Sequence, residues 1–297
     1  MQKITTLVIL SLLSAHSYGQ SNYQQFTSLF KKKDTAALKT LLANWERTAP
    51  NDPELYTSAF NFYFSGSRRE MLSLQKNAPK EEGLRVTDNS GKTVAFLTSG
   101  ADYDADKLAR AFGYINTGIA KFPDRLDMRF GKCFVFGQIA DYENFTKEII
   151  ATVDRSVVNK NNWRWTENKP PDQPEELLLS SIQSYLAQLY NTENDDLLDN
   201  MIRIGEATLK HYPGNVEILT TTSTAFLLKK NYDKALGYLQ RAEKLNPKDG
   251  IVLNNIAHCY KLKGDKTNAL KYYELTEKYS DEEGKAMARE NIKQLKK

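Results

Sequence analysis

The feature that most constrains this chain is a pattern that recurs at a fixed interval near its C-terminal end. Over 216–249, Leu219, Ser223, Phe226, Tyr232, Ala235, Leu239, Ala242 and Pro247 fall at the spacing of a helix, a tight turn, a second helix and a stop. The next stretch, 250–283, repeats the frame with Leu253, Ile256, Ala257, Tyr260, Gly264, Ala269, Tyr273 and Tyr279. The interval is about 34 residues, the length of one helix pair. A pair of that size cannot hide its apolar stripe alone, so the period demands that neighbours stack in series.

The residue types follow from that packing. Ala257 and Ala269 are small where two antiparallel helices must approach closely, while Tyr260 and Tyr273 fill the gap toward the neighbouring pair. Gly264-Asp265 supplies a helix stop and a new start, and Pro247 blocks continuation of a second helix. On these residues the chain resembles the tetratricopeptide repeat family. The resemblance implies an all-α fold, a right-handed α-α superhelix of helix pairs whose first helices line a concave face. The last segment, 284–297, reads as one amphipathic helix with Ala288, Ile292 and Leu295 on one side, the cap such a solenoid needs over its exposed final edge.

Upstream the pattern is degenerate but present. Stretches 175–190 and 195–211 form another pair, with Leu178, Ile182, Tyr185, Leu186 and Leu189 on one face and Leu197, Met201, Ile204 and Leu209 on its partner, closed by Tyr212-Pro213-Gly214-Asn215. A similar close at Lys121-Phe122-Pro123-Asp124 precedes helices over 125–139 and 142–153. Nearer the start, Ala36, Leu38, Leu41, Leu42 and Trp45 mark a helix that stops before Pro50, and Pro53 opens the next through Leu55, Phe60 and Phe62. The expectation is one helical array over 20–297.

Two insertions interrupt it. Around 83–98, alternating apolar positions flank Asp88-Asn89-Ser90-Gly91, which predicts a small β-hairpin decorating the array, with edge-pairing to an extended peptide as the functional alternative. The second, 159–174, carries Trp163 and Trp165 in a polar, Pro-containing loop. Exposed, these rings would form a sugar or peptide platform; tucked against the body, they are packing.

Residues 1–19 read as an export signal: Lys3, an apolar run from Ile4 to Ala15, and small residues before Gln20. The run falls short of the roughly 20 apolar residues of a spanning helix, so no membrane insertion is expected after cleavage; an uncleaved anchor is the competing reading. The periplasm is the expected location. With 40% hydrophobic and 26% charged residues the chain is built to fold, and 41 Lys+Arg against 37 Asp+Glu, interspersed, lack the concentrated basic face of a nucleic-acid binder. The only cysteines, Cys133 and Cys259, lie in distant amphipathic helices and read as buried thiols rather than a disulfide.

Little material for catalysis is present. Beyond the signal only His211 and His258 remain, and HExxH, GxSxG, phosphate-loop and CxxC patterns are missing, so no metal or cofactor is expected. Cys133 falls at a small-residue position on an apolar helix face, where a thiol behaves as a hydrophobe. The reading is a non-catalytic scaffold or adaptor of the bacterial cell envelope that holds a protein or peptide partner. The resemblance puts that partner on the first helices: Glu217, Thr220, Thr221 and Thr224 from one unit, and Asn254, Asn255, His258 and Lys261 from the next. Some members of the family clamp a C-terminal carboxylate, to which Asn255, Lys285 and Arg289 would correspond, although Thr220 and Thr224 stand where that clamp has Lys and Asn. The alternative is an envelope hydrolase or carbohydrate-binding protein working at the Trp163/Trp165 loop with Asp141 to Glu143.

Overall fold

A computed structural model describes residues 21–78 and 83–297; the expected signal segment lies outside them. Helices come in order as α1 (Asn22–Lys31), α2 (Thr35–Thr48), α3 (Pro53–Ser67), α4 (Ala105–Lys121), α5 (Leu126–Gln138), α6 (Tyr142–Asn159), α7 (Pro174–Tyr190), α8 (Leu198–His211), α9 (Val216–Leu228), α10 (Tyr232–Leu245), α11 (Gly250–Leu262), α12 (Lys266–Tyr279) and α13 (Glu282–Lys296). Each odd-numbered helix up to α11 packs against the even-numbered helix that follows it, and each pair packs on the next. The serial stack demanded by the sequence period therefore runs the length of the described chain, with α13 as its end.

Local chemistry sets the boundaries. Short polar side chains accept the first free N–H groups of helix after helix: Asp34 from Ala37, Asp104 from Lys107, Asn231 from Lys234 and Asp265 from Asn268. The turn inside a pair also repeats. Lys33, Ala140, Lys230 and Gly264 all adopt φ between 55° and 79°, and the residue after each donates its N–H back across the turn, to Leu29, Phe136, Phe226 and Tyr260. This left-handed stop ends the first helix and aims the second back along it. It marks the first and third pairs as the same unit as the C-terminal repeats.

The core is a ribbon between the layers. One buried cluster runs from Leu126 through Trp163, Leu186 and Phe226 to Cys259, and a second gathers Phe26, Trp45, Leu55, Phe60 and Ile115 at the N-terminal end. At the other end Ala288, Ile292 and Leu295 of α13 cover Ala257, Ala269 and Tyr273, as expected of a cap. On the second-helix layer, tyrosines link successive pairs: Tyr114 donates to Glu46 at 3.1 Å, Tyr238 to Glu206 at 3.0 Å and Tyr272 to Glu243 at 3.2 Å. Cys133 and Cys259 are free and buried.

The insertion between α3 and α4 is larger than the expected hairpin. Strands β1 (Arg68–Gln75), β2 (Leu84–Thr87) and β3 (Thr93–Tyr103) form an antiparallel sheet in the order β1-β3-β2. The β2–β3 turn is the one the sequence announces: Asp88 Oδ1 accepts from Ser90 and Lys92 N–H, and Gly91 takes φ 82°. The surprise is that β3 runs on to Tyr103 and gains β1 on its other edge. Asp104 N–H donates to Ser67 O at 2.8 Å, closing the insertion at its base.

Candidate functional site

The first helices of neighbouring pairs touch one another, α7 with α9, α9 with α11 and α11 with α13, and so make a continuous face. What occupies its N-terminal half is the chain itself. The loop 160–173 crosses it and is pinned at several points. Leu126 N–H donates to Arg164 O at 2.9 Å, Arg164 N–H to Asp124 O at 2.8 Å, and Glu167 N–H to Glu54 Oε1 at 2.8 Å. Trp163 is fully buried, its indole N–H donating to Asn161 Oδ1 at 3.2 Å. Trp165 is half-buried, edge-on to Phe130. A platform of two exposed tryptophans does not exist here, and the binding reading that required one is corrected: fourteen polar-looking residues between two helices hide an indole because the gap between α5, α6 and α7 needs filling.

The acidic groups singled out for chemistry are engaged structurally, and the Cys133 thiol is buried as expected. Asp141 caps α6, accepting from Asn144 N–H at 3.2 Å. Glu143 accepts from Arg203 and Lys147, and those contacts hold its carboxyl down at about 2. Burial pushes the Cys133 thiol well above its ordinary value, which keeps it protonated and unreactive. Among the described residues no group of three or more His, Cys, Asp or Glu is placed to hold a metal ion.

The C-terminal half of the face is open, and the expected partner-binding residues are distributed along it unequally. Thr221 of α9 exchanges hydrogen bonds with Gln183 of α7, 2.9 Å from Gln183 Nε2, and Thr224 bonds back to Thr220 O at 3.1 Å. On α11, His258 reaches the surface, and partial desolvation of its ring, followed by the neighbouring Lys261, lowers its pKa. Lys261 Nζ donates to Asn291 Oδ1 of α13 at 2.8 Å. The basic residues matched to a carboxylate clamp already hold carboxylates of this chain: Lys285 pairs with Glu282 at 2.7 Å, and Arg289 with Glu277 of α12 at 2.8 Å. The geometry thus draws Arg289 toward α12 rather than α11. Asn255 is half-buried on α11.

Asn254 differs from all of these. Its Oδ1 is buried and has no hydrogen-bond partner among the described residues. It lines a cleft of about 460 Å³ between α11 and α13, together with Ile251 and Met287, which are 70% and 48% exposed. Beside the cleft the helix starts pack tightly: a Cβ on Gly250 would lie 2.1 Å from Ser280 Oγ, and one on Gly284 2.6 Å from Ser280 Cβ. A larger cleft of about 770 Å³ lies where the loop meets α7 and α9, lined by Glu175, Glu176 and Glu217 against Lys160. Sequence reasoning named Asn254 and Glu217 but not Ile251, Met287 or the α7 carboxylates. The exposed Ile251 at the first turn of α11, off the apolar stripe of Val252, Leu253 and Ile256, was the available signal.

No family model matches the sequence. A stretch of 76 residues, 26% of this chain, is 32% identical to the general transcriptional corepressor trfA of Dictyostelium discoideum and spans 6% of that protein's length. Among solved structures, the C-terminal part of a TPR repeat-containing protein from Cytophaga hutchinsonii is similar at 15% identity with a TM-score of 0.43, over 92% of this chain and 95% of that one. PilF of Pseudomonas aeruginosa is similar at 9% identity with a TM-score of 0.36, over 91% of this chain and 96% of that one. The stacked pairs, the repeated left-handed turn and the covering helix α13 make this chain a helical-repeat array, similar in these features to tetratricopeptide repeats. Two features are added to that array, the sheet between α3 and α4 and the loop across the chain's own first-helix face.

Proposed function

We propose that the protein is a non-catalytic adaptor of the cell envelope that holds a protein or peptide partner on the open, C-terminal half of the first-helix face. The observation that carries this reading is the unpaired, buried Oδ1 of Asn254 in a cleft rimmed by two exposed apolar side chains. Buried amide oxygens are rarely left without a donor. A passing peptide supplies one in each backbone N–H, while Ile251 and Met287 offer its side chains apolar area to cover. The Glu175, Glu176 and Glu217 carboxylates farther along favour a partner with basic residues at that end. Export, and hence an envelope partner, is supported by the signal-like pattern of residues 1–19.

The test is capture of partners from envelope extract by the purified protein and by an Ile251→Asp/Asn254→Ala variant, followed by hydrogen-exchange mapping of the strongest complex. Loss of capture by the variant, with protection over 249–287, is expected. Equal capture by both proteins would remove this cleft as the site.

A further inference from the structure

A separate cavity of about 330 Å³ lies at the N-terminal end of the array, walled by α1, α3 and α5 and closed on one side by Trp165 and Thr166 of the crossing loop. Two carboxylates reach it, Glu54 and Asp127, with one guanidinium between them. Arg125, 1% exposed, sets Nε and Nη2 on Asp127 at 2.9 and 2.6 Å and Nη1 at 2.8 Å from Glu54 Oε1. That arrangement sets the guanidinium's charge between its own two carboxylates, with Nη1 facing Glu54 at ion-pair distance but without a hydrogen-bond partner among the described residues, and leaves the cavity with one negative charge in excess. Glu54 Oε1 also accepts the Glu167 N–H, whereas Oε2 has only a 3.4 Å contact from Thr57 Oγ1. Burial first, and then Glu54, Glu167 and Asp127, raise the pKa of the Tyr23 phenol at the cavity wall, so the local field is negative.

The second observation is Ser58, one turn beyond Glu54 on α3. It lines the same cavity, is 1% exposed, and its hydroxyl has no hydrogen-bond partner among the described residues. A helical serine normally returns its hydroxyl to the preceding turn, as Ser181 does to Leu177 O at 2.7 Å. Here the oxygen remains available in a space walled by Phe26, Phe60 and Trp165.

We propose that this cavity binds a primary ammonium group on a short aliphatic stem, the chemistry shared by a lysine side chain and a small alkylamine, with Glu54 Oε2 and Ser58 Oγ accepting its N–H donors and the aromatic rings flanking the stem. A primary ammonium brings compact, rotatable donors to these acceptors; a quaternary ammonium has none, and a guanidinium would bury several without partners. The charge excess selects a cation, and the ring faces add to the attraction. This site is independent of the cleft at α11 and α13, and its test needs no partner protein.

Calorimetric titration of the purified protein with n-butylammonium chloride, tetramethylammonium chloride and n-butanol, at matched ionic strength and pH 7, decides it. Saturable binding of n-butylammonium with Kd below about 10 mM is expected, at least tenfold tighter than the other two probes. Ser58→Ala should weaken it by about tenfold. Thr27→Phe, an exposed rim position on α1, should abolish it by filling the mouth. Circular dichroism and urea midpoints establish that both variants fold. A capped Gly-Lys-Gly peptide separates the sources: tighter binding than n-butylammonium assigns the site to a peptide-borne lysine, weaker binding to a free amine. Binding of n-butanol or tetramethylammonium as tight as that of n-butylammonium, or titrations unchanged in both variants, would overturn the proposal.

Discussion

Gly205 offers a sharp test of the serial packing. It sits in α8 facing α9, and a Cβ placed there would lie 2.1 Å from Thr222 Oγ1, 3.1 Å from its Cβ and 3.2 Å from its Cγ2. Thr222 is fully buried and its hydroxyl donates to Ile218 O at 2.7 Å, so the oxygen cannot swing aside without giving up that bond. Gly→Ala in a helix interior gains about 1 kcal/mol of intrinsic helix stability. Forcing a methyl into a filled contact costs about 1–3 kcal/mol, and a displaced buried hydroxyl about 1–3 kcal/mol more. Gly205→Ala is therefore expected to destabilise by about 1–5 kcal/mol, against the sign that helix propensity alone gives. Thr222→Ala removes the oxygen and the methyl that stand in the way, and in that background Gly205→Ala should become neutral or stabilising by up to about 1 kcal/mol. Because repeat arrays open in segments, the readout is urea unfolding combined with hydrogen exchange over 198–228. Stabilisation by Gly205→Ala alone, or additivity of the two changes within about 0.5 kcal/mol, would refute the close approach of α8 and α9.

Other perturbations follow from the same structure. Arg125→Met leaves Glu54 and Asp127 buried beside no cation and should destabilise by about 3–5 kcal/mol in urea unfolding. Tyr114, Tyr238 and Tyr272 are held up at about 12 by burial and their glutamate partners, above the unfolded value of about 10. Their stabilisation is accordingly whole below pH 10 and declines as pH rises toward 12, a slope that a triple Tyr→Phe variant should flatten in thermal melts. Ellman's reagent should find neither thiol in the native protein within minutes and both Cys133 and Cys259 in guanidinium, since each is buried and burial raises its pKa; rapid native labelling of Cys133 would refute the packing of α5 described above.

The sequence was most informative where the repeat chemistry is complete. Gly264 and Pro247 punctuate the last pairs openly, and the helices 216–228, 232–245, 250–262 and 266–279 begin and end inside the expected frames. Farther upstream the same left-handed turn is made by Lys33, Ala140 and Lys230, residues that do not announce it, because the surrounding hydrogen bonds rather than the side chain impose the conformation. Helix α4 is weakly signalled although Asp104 caps it and Leu108, Ala111, Phe112 and Ile115 form its stripe; Gly113 and Gly118 dilute the pattern, and Gly118 is there because a Cβ would meet Tyr56 Cβ at 2.7 Å. Strand β1 was invisible for a different reason. Its sequence, RREMLSLQ, carries no turn signal and hardly alternates, and its partner lies across the intervening β2 and its turn, so pairing rather than local preference makes it a strand. The candidate site was half legible. Asn254 could be placed on the right face by periodicity, but its unpaired oxygen, the carboxylates of α7 and the self-occupied N-terminal half arise from contacts between distant segments such as Glu54 and Glu167.

The sheet is a side branch that leaves and rejoins the trunk through one doorway, where Asp104 N–H meets Ser67 O, Arg69 pairs with Asp104 and Tyr103 stacks on Phe64. Because the branch begins and ends beside the α3–α4 junction, its length is not fixed by the contact between those two helices. Pruning, lengthening or exchanging this appendage between 67 and 104 is therefore expected to leave the succession of helices in place.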